Sequence, residues 1–231
     1  MGKLFSMAKN LAFTFLKGIL AGLAIGLGGF LYIIMTFAWP GEGGKVLGSA
    51  LFAVGLFLVC TFQLSLYTGK IGLIYEKKQE KVFYIGLPVM LIGNAIGAFA
   101  LGYLCYAIFR NTDVMGAVNA ATGSRLALNS FDDYLSLCLR SFLCGFCVYM
   151  AVKIFAWDRL RPIGILGLVT FVFIFVYCGF QHCIANMFYF GFGNAIVANT
   201  FINLALCILF NSFGPITGVL LFKVFERAKK A

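Results

Sequence analysis

The chain has 231 residues, 62% of them hydrophobic and only 11% charged, with a formal net charge of +10. Soluble domains are nearer half apolar and a quarter charged, so this composition excludes an ordinary water-soluble domain. The basic excess does not read as a nucleic-acid surface either, because Lys and Arg fall between apolar runs instead of clustering on a polar domain.

Residues 1–17 place Lys3, Lys9 and Lys17 among Leu4, Phe5, Met7, Leu11, Phe13 and Phe15. That pattern predicts a short amphipathic helix lying at the cytoplasmic membrane interface. Six apolar spans follow: Gly18 to Ala38, about Val46 to Leu66, Val82 to Phe109, Tyr134 to Trp157, Ile163 to Phe192, and Ala195 to Phe222. Between Pro162 and Phe222 no Asp, Glu, Lys or Arg occurs, a run about three times the ~20 residues that cross a bilayer once. The whole chain, 1–231, therefore reads as a single all-α membrane domain. It divides into an amphipathic segment (1–17), a first three-helix unit (18–109), a second (134–222) and a cytoplasmic tail (223–231).

Two spans carry interruptions. Tyr67-Thr68-Gly69-Lys70 follows the second span and leads into a short apolar piece, Ile71 to Tyr75. The fifth segment, as one straight helix, would be about 45 Å long, longer than a hydrocarbon core of about 30 Å. Gly179-Phe180-Gln181-His182 is the economical place for a break, and broken backbone at that depth must face protein or a water-filled cavity. The third and sixth spans share Asn-x-x-Gly, at Asn94 to Gly97 and Asn211 to Gly214. Three spans per half force the halves into opposite orientations. The prediction is an inverted 3+3 repeat of six transmembrane helices, broken in the second and fifth, with a site where the repeats meet.

With the N-terminus inside, every Lys and Arg except Lys45, Arg110, Arg125 and Arg140 falls on the cytoplasmic side, Lys77, Lys78, Arg159, Arg161 and Lys230 among them. The positive-inside rule then gives cytoplasmic N- and C-termini. All eight cysteines lie in apolar segments and read as buried small hydrophobes, and the single Cys144-x-x-Cys147 has no partner pair for zinc. Neither a metal nor another cofactor is expected. An intramembrane enzyme built on the single His182 would lack a nucleophile motif, a second His and acidic partners in the spans. A lone intramembrane His is costly in lipid, which points to a functional role.

Four runs carry a resemblance. The first span reads Ala21-Gly22-Leu23-Ala24-Ile25-Gly26-Leu27-Gly28, and the second ends Leu64-Ser65-Leu66-Tyr67-Thr68-Gly69. The third holds Gly93-Asn94-Ala95-Ile96-Gly97, and the fifth Gly179-Phe180-Gln181-His182-Cys183-Ile184-Ala185-Asn186-Met187-Phe188. In this order the chain resembles the formate/nitrite transporter family over nearly its whole length. The resemblance implies an aquaporin-like homopentamer in the bacterial inner membrane, surrounded by lipid, with one pore per protomer. The solute would be a small monovalent anion such as formate or nitrite, with hydrosulfide or a short carboxylate as the alternative. It places Thr68 and His182 at the pore centre and matches Asn211 to a polar Asn of span six; Asn94, the repeat counterpart of Asn211, is a second candidate pore residue, and for both the alternative is a hydrogen bond that joins helices. Phe52, Leu56, Leu66 and Phe175 would be the hydrophobic constrictions. An apolar wall blocks the ion and lets a neutral acid through, so the imidazole would exchange a hydrogen bond or proton with the solute. The chain departs from the family at Gln181, where Glu is common, and at Gly145, where Asn is common. A family Lys ahead of span four corresponds to Asn129 in an ungapped match, or to Arg125 after a shift of one turn.

Overall fold

A computed structural model describes the backbone of residues 2–76, 79–157 and 162–229, and side chains from residue 5 onward except that of Glu76. Lys77, Lys78, Arg159, Arg161 and Lys230, together with the side chain of Lys3, lie outside the described residues. The helices are α1 (Gly2–Ala38), α2 (Glu42–Thr61), α3 (Tyr67–Lys70), α4 (Leu73–Glu76), α5 (Lys81–Phe109), α6 (Val114–Leu126), α7 (Phe131–Trp157), α8 (Pro162–Tyr177), α9 (Cys183–Phe192) and α10 (Ala198–Ala228). Five of them, α1, α2, α5, α7 and α10, are long and apolar enough to cross a membrane. The shorter apolar helices α8 and α9 are separated by the break at 178–182.

The basic amphipathic segment is not a separate helix. It runs straight into the first span as α1, because nothing between Lys9 and Lys17 breaks the helical ladder. Lys17 lies over the Phe13 ring at 4.6 Å and donates to the Gln63 carbonyl at 3.2 Å, so the basic end of this helix is fastened to the first break. The second feature not anticipated is α6, which forms within the loop between the third and fourth spans. Cysteine burial also departs from expectation. Cys105, Cys144, Cys147, Cys183 and Cys207 are buried, Cys60 and Cys138 are half-buried, and Cys178 is exposed beside the second break.

The two halves repeat each other bond for bond around their breaks. In the first, Phe62 N donates to Leu58 O (3.0 Å), Gln63 N to Cys60 O (3.3 Å) and Leu64 N to Val59 O (2.9 Å). In the second, Cys178 N donates to Ile174 O (3.0 Å), Gly179 N to Val176 O (3.0 Å) and Phe180 N to Phe175 O (2.8 Å). The same backbone twist closes both ends: Gln63 has φ 51° and Gly179 φ 69°, the left-handed conformation that ends helices. Ser65 N then reaches Lys17 O in α1, and Gln181 N reaches Arg140 O in α7, both at 3.4 Å. The next helices start from equivalent caps, Leu66 (φ −96°, ψ 121°) and His182 (φ −104°, ψ 117°).

Close helix crossings hold each half together, and they require glycine. A Cβ at Gly22 of α1 would lie 2.1 Å from Asn94 O, and one at Gly97 of α5 would lie 2.0 Å from Ile19 O. The other half reproduces this, with Gly145 of α7 at 2.4 Å from Asn211 O and Gly214 of α10 at 2.3 Å from Phe142 O. Gly145 is thereby explained: it is the counterpart of Gly22, and any side chain there would push α10 away. Small residues that let backbones approach this closely are how helices associate in lipid.

Candidate functional site

Each half pins its break with one asparagine. Asn94 Oδ1 accepts from Tyr67 N (2.9 Å), and its Nδ2 donates to Gly18 O (2.9 Å) and Ser65 O (2.8 Å). Asn211 Oδ1 accepts from Cys183 N (2.9 Å), and its Nδ2 donates to Ser141 O (2.6 Å) and Gln181 O (2.8 Å). Both side chains are fully buried. Asn94 thus grips the backbone on either side of Leu66, and Asn211 grips it on either side of His182. Neither is among the residues lining the cavity at His182. Their amides are spent on backbone groups that the breaks left without helical partners.

The pinned breaks bring Thr68 of α3 and His182 together: Thr68 Oγ1 lies 3.0 Å from His182 Nε2, both side chains buried. His182 also caps α9, since its Nδ1 accepts from Ala185 N at 3.2 Å. That bond fixes the tautomer. A ring nitrogen that accepts carries no hydrogen, so the neutral imidazole bears its proton on Nε2 and donates it to Thr68 Oγ1. The threonine hydroxyl hydrogen is then left to point at a third group. Tyr67, the preceding residue, ties this break to the other half through its hydroxyl, 3.0 Å from Ser212 Oγ.

Two cavities approach this pair from opposite ends. One, of about 180 Å³, opens beside α6 and is bounded by Phe52, Phe175, Arg125, Gln181 and His182. The other, of about 340 Å³, opens at the end carrying the chain termini and is bounded by Val59, Cys60, Leu66, Lys70, Val152 and Phe155. One face of α2 runs between them. Phe52 touches the first cavity, Val59 and Cys60 the second, and Leu56 lies on the same face midway, buried. At 1.5 Å per residue the apolar stretch separating the cavities is about 10 Å long. The four expected constriction residues therefore divide: Phe52 and Phe175 on one side, Leu66 on the other, Leu56 between. Phe52 and Phe175 meet edge to face with centroids 5.7 Å apart, and Phe175 stacks on His182 at 6.0 Å.

The cavity beside α6 holds residues that the sequence left unassigned. Arg125 donates from Nε to Asn186 Oδ1 (2.9 Å), and its guanidinium lies 4.1 Å from the Tyr189 ring centroid. Asn186 Nδ2 donates in turn to Gln181 Oε1 and Asn203 Oδ1, each at 2.9 Å, and Asn203 Nδ2 donates to Arg125 O at 3.0 Å. Of the two positions open for the family lysine, Arg125 faces this cavity. Asn129 is exposed and engages Asp133 through its backbone N–H. Arg140 also lines the cavity. Only α6 brings Arg125 here, and the small and polar residues mixed through Val114–Leu126 carry no apolar period that marks a helix between two spans.

An α-helical membrane bundle with paired broken helices and a buried polar pair between two cavities has the architecture of a transport protein. Residues 5–226 match the family described as "Formate/nitrite transporter", and the chain belongs to that family. It is similar to "Uncharacterized transporter YrhG" of Bacillus subtilis, at 30% identity over 182 residues, covering 74% of this chain and 67% of that protein. "Formate channel FocB" of Escherichia coli is 22% identical over 199 residues, covering 82% and 70%. The fold matches a solved "Pentameric formate channel with formate bound" with TM-score 0.76 and 22% identity, over 95% of this chain and 96% of that one. It also matches an "FNT family ion channel" with TM-score 0.79 and 20% identity, over 96% and 92%. The family and fold are those of channels and transporters, and the enzyme alternative is set aside.

Proposed function

We propose that this protein passes small monovalent anions of weak acids, formate and nitrite foremost, through one pore in each protomer of a homopentamer in a bacterial inner membrane, with both termini cytoplasmic. The observation that carries this reading is the 3.0 Å contact of Thr68 with His182 between two opposed cavities. An anion in the apolar stretch along Phe52 and Leu56 would be costly, and a neutral acid far less so. The Thr68 hydroxyl hydrogen, freed by the imidazole's own donation, is the group offered to the solute. A proton taken up from the entry cavity makes the ring an imidazolium, which gives a proton to the anion and returns to the neutral starting tautomer. Lower pH supplies that proton and raises the neutral acid fraction, so flux rises as pH falls. Asn94 and Asn211 serve this path by holding the two breaks in register.

Proteoliposome flux of formate, nitrite, hydrosulfide and lactate across a pH series tests the reading. His182→Asn retains a capping oxygen for Ala185 N, so the fold is kept while the imidazole is lost. The variant should lose most pH-dependent formate flux, and Thr68→Val should do the same. Wild-type vesicles passing none of these anions would sink the proposal, as would an unaltered His182→Asn profile.

A further inference from the structure

The orientation of every amide around Arg125 is forced. Arginine only donates, so the Asn186 atom facing Arg125 Nε at 2.9 Å must be Oδ1. Asn186 Nδ2 then faces Gln181 and Asn203, and each must present its oxygen to it, at 2.9 Å. Asn203 closes the ring by donating to Arg125 O at 3.0 Å. With Oε1 committed to Asn186, the Gln181 amino group has one direction left. Gln181 lines both the cavity holding His182 and an adjoining one of about 180 Å³ beyond it. Its two N–H groups have no partner among the described residues, although the residue is only 8% exposed.

Charge reinforces this. The only ion pair among the described residues is Lys45 with Glu42 at 4.0 Å, so Arg125 has no carboxylate partner. Arg125 and Arg140 line both cavities. The one acidic residue on their walls, Asp133, has its Oδ2 committed to Asn129 N, Ser130 N and Ser130 Oγ, each at 2.9 Å. Arg125 Nη1 also donates to the Ala121 carbonyl, so the recess offers the remaining guanidinium N–H groups and a carboxamide N–H pair, with Asp133 as the one acidic residue on its walls.

We propose that Gln181 and Arg125 form an entry site that selects planar oxyanions over spherical or single-atom anions, with Gln181 as the specificity-determining residue. It rests on the anion-channel reading and sits one residue before His182. An anion with two coplanar oxygens offers a separate acceptor to the guanidinium N–H and to the amide N–H; hydrosulfide has one acceptor atom to share between them. A carboxylate at position 181 would still accept from Asn186, but would aim its second oxygen at the solute and pair with Arg125.

Saturation-transfer NMR on the purified full chain, reading the formate proton, measures binding without flux. Nitrite should displace formate at comparable concentration, and hydrosulfide only at roughly tenfold higher. Gln181→Glu should weaken formate roughly tenfold with hydrosulfide little changed, and Gln181→Met should weaken it less. Equal competition by hydrosulfide, or unchanged formate binding in both variants, overturns the proposal. Binding with this preference in a protein that passes no anion would uphold the entry site and defeat the channel reading.

Discussion

Replacing Asn211 by Ala separates a residue that holds the path from one that lines it. The substitution removes three N–H···O hydrogen bonds, to Cys183 N, Ser141 O and Gln181 O, and a longer contact with the Cys207 thiol at 3.7 Å. Their losses are unequal. Ser141 lies inside α7, where its carbonyl has a helical partner, and the Gln181 carbonyl keeps the Cys207 thiol at 3.2 Å. These two should cost about 0.5–1 kcal/mol each. Cys183 N–H opens α9 and sits in a fully buried residue, so it becomes an orphan donor without water, at about 1–3 kcal/mol. The expected sum is about 2–5 kcal/mol. At roughly 2–4 °C per kcal/mol for a chain of this size, the melting temperature in detergent should fall about 4–20 °C. Flux should fall too, because the freed bonds flank His182 and its contact with Thr68 loosens. Asn94→Ala should behave alike through Tyr67 N. Flux lost with the melting temperature unmoved would refute the pinning argument and make Asn211 a path residue; no change in either would refute both.

Other substitutions test packing and barrier. Gly145→Ala puts a methyl 2.4 Å from the Asn211 carbonyl, a backbone atom that cannot step aside, and folded protein recovered from membranes should drop severely. Gly116→Ala, with nothing within 4 Å of its new Cβ, should instead stabilise α6 by about 0.5–1 kcal/mol, read as a raised melting temperature. Phe52→Ala shortens the apolar stretch where it meets the first cavity and removes the edge-to-face partner of Phe175. Formate flux should rise and its pH dependence weaken, because an ion need no longer be neutral to pass; a fall in flux with the fold intact would contradict the barrier.

The spans and the second break were legible because lipid imposes long charge-free runs and makes a polar insertion conspicuous. Gly179 to His182 marked the fifth span's break correctly. The first break was placed late: α2 ends at Thr61, ahead of Tyr67-Thr68-Gly69-Lys70, because Gln63 takes the left-handed conformation usually left to glycine. Nothing in a glutamine codon announces that. The Asn-x-x-Gly pairs were visible as a repeat, but their work depends on which backbone groups the breaks leave unpaired, which only the folded chain decides. Arg125 was readable as a cation and not as a cavity wall, since its position depends on α6.

The repeat also explains why one histidine suffices. Backbone equivalence pairs Leu66 with His182, Tyr67 with Cys183 and Val59 with Phe175, each set by the same hydrogen bonds. If side chains followed the backbone, the centre would hold two imidazoles or none. Instead the cap of α9 is a histidine while the cap of α3 is a leucine, and the hydroxyl that meets the imidazole comes from Thr68, two residues past that leucine. The duplication places two breaks face to face at one depth. The unlike side chains at equivalent points then put a polar pair on one side of the centre and Leu66 on the other. Phe175 against Val59 follows the same rule, narrowing the side toward α6, where the arginines gather, and leaving the wider cavity at the end with the termini. From the recess at Arg125 to the cavity at Leu66 the order is therefore donors, the Phe52–Phe175 pair, the imidazole and an apolar wall. The order is a consequence of which half carries which side chain on a shared backbone.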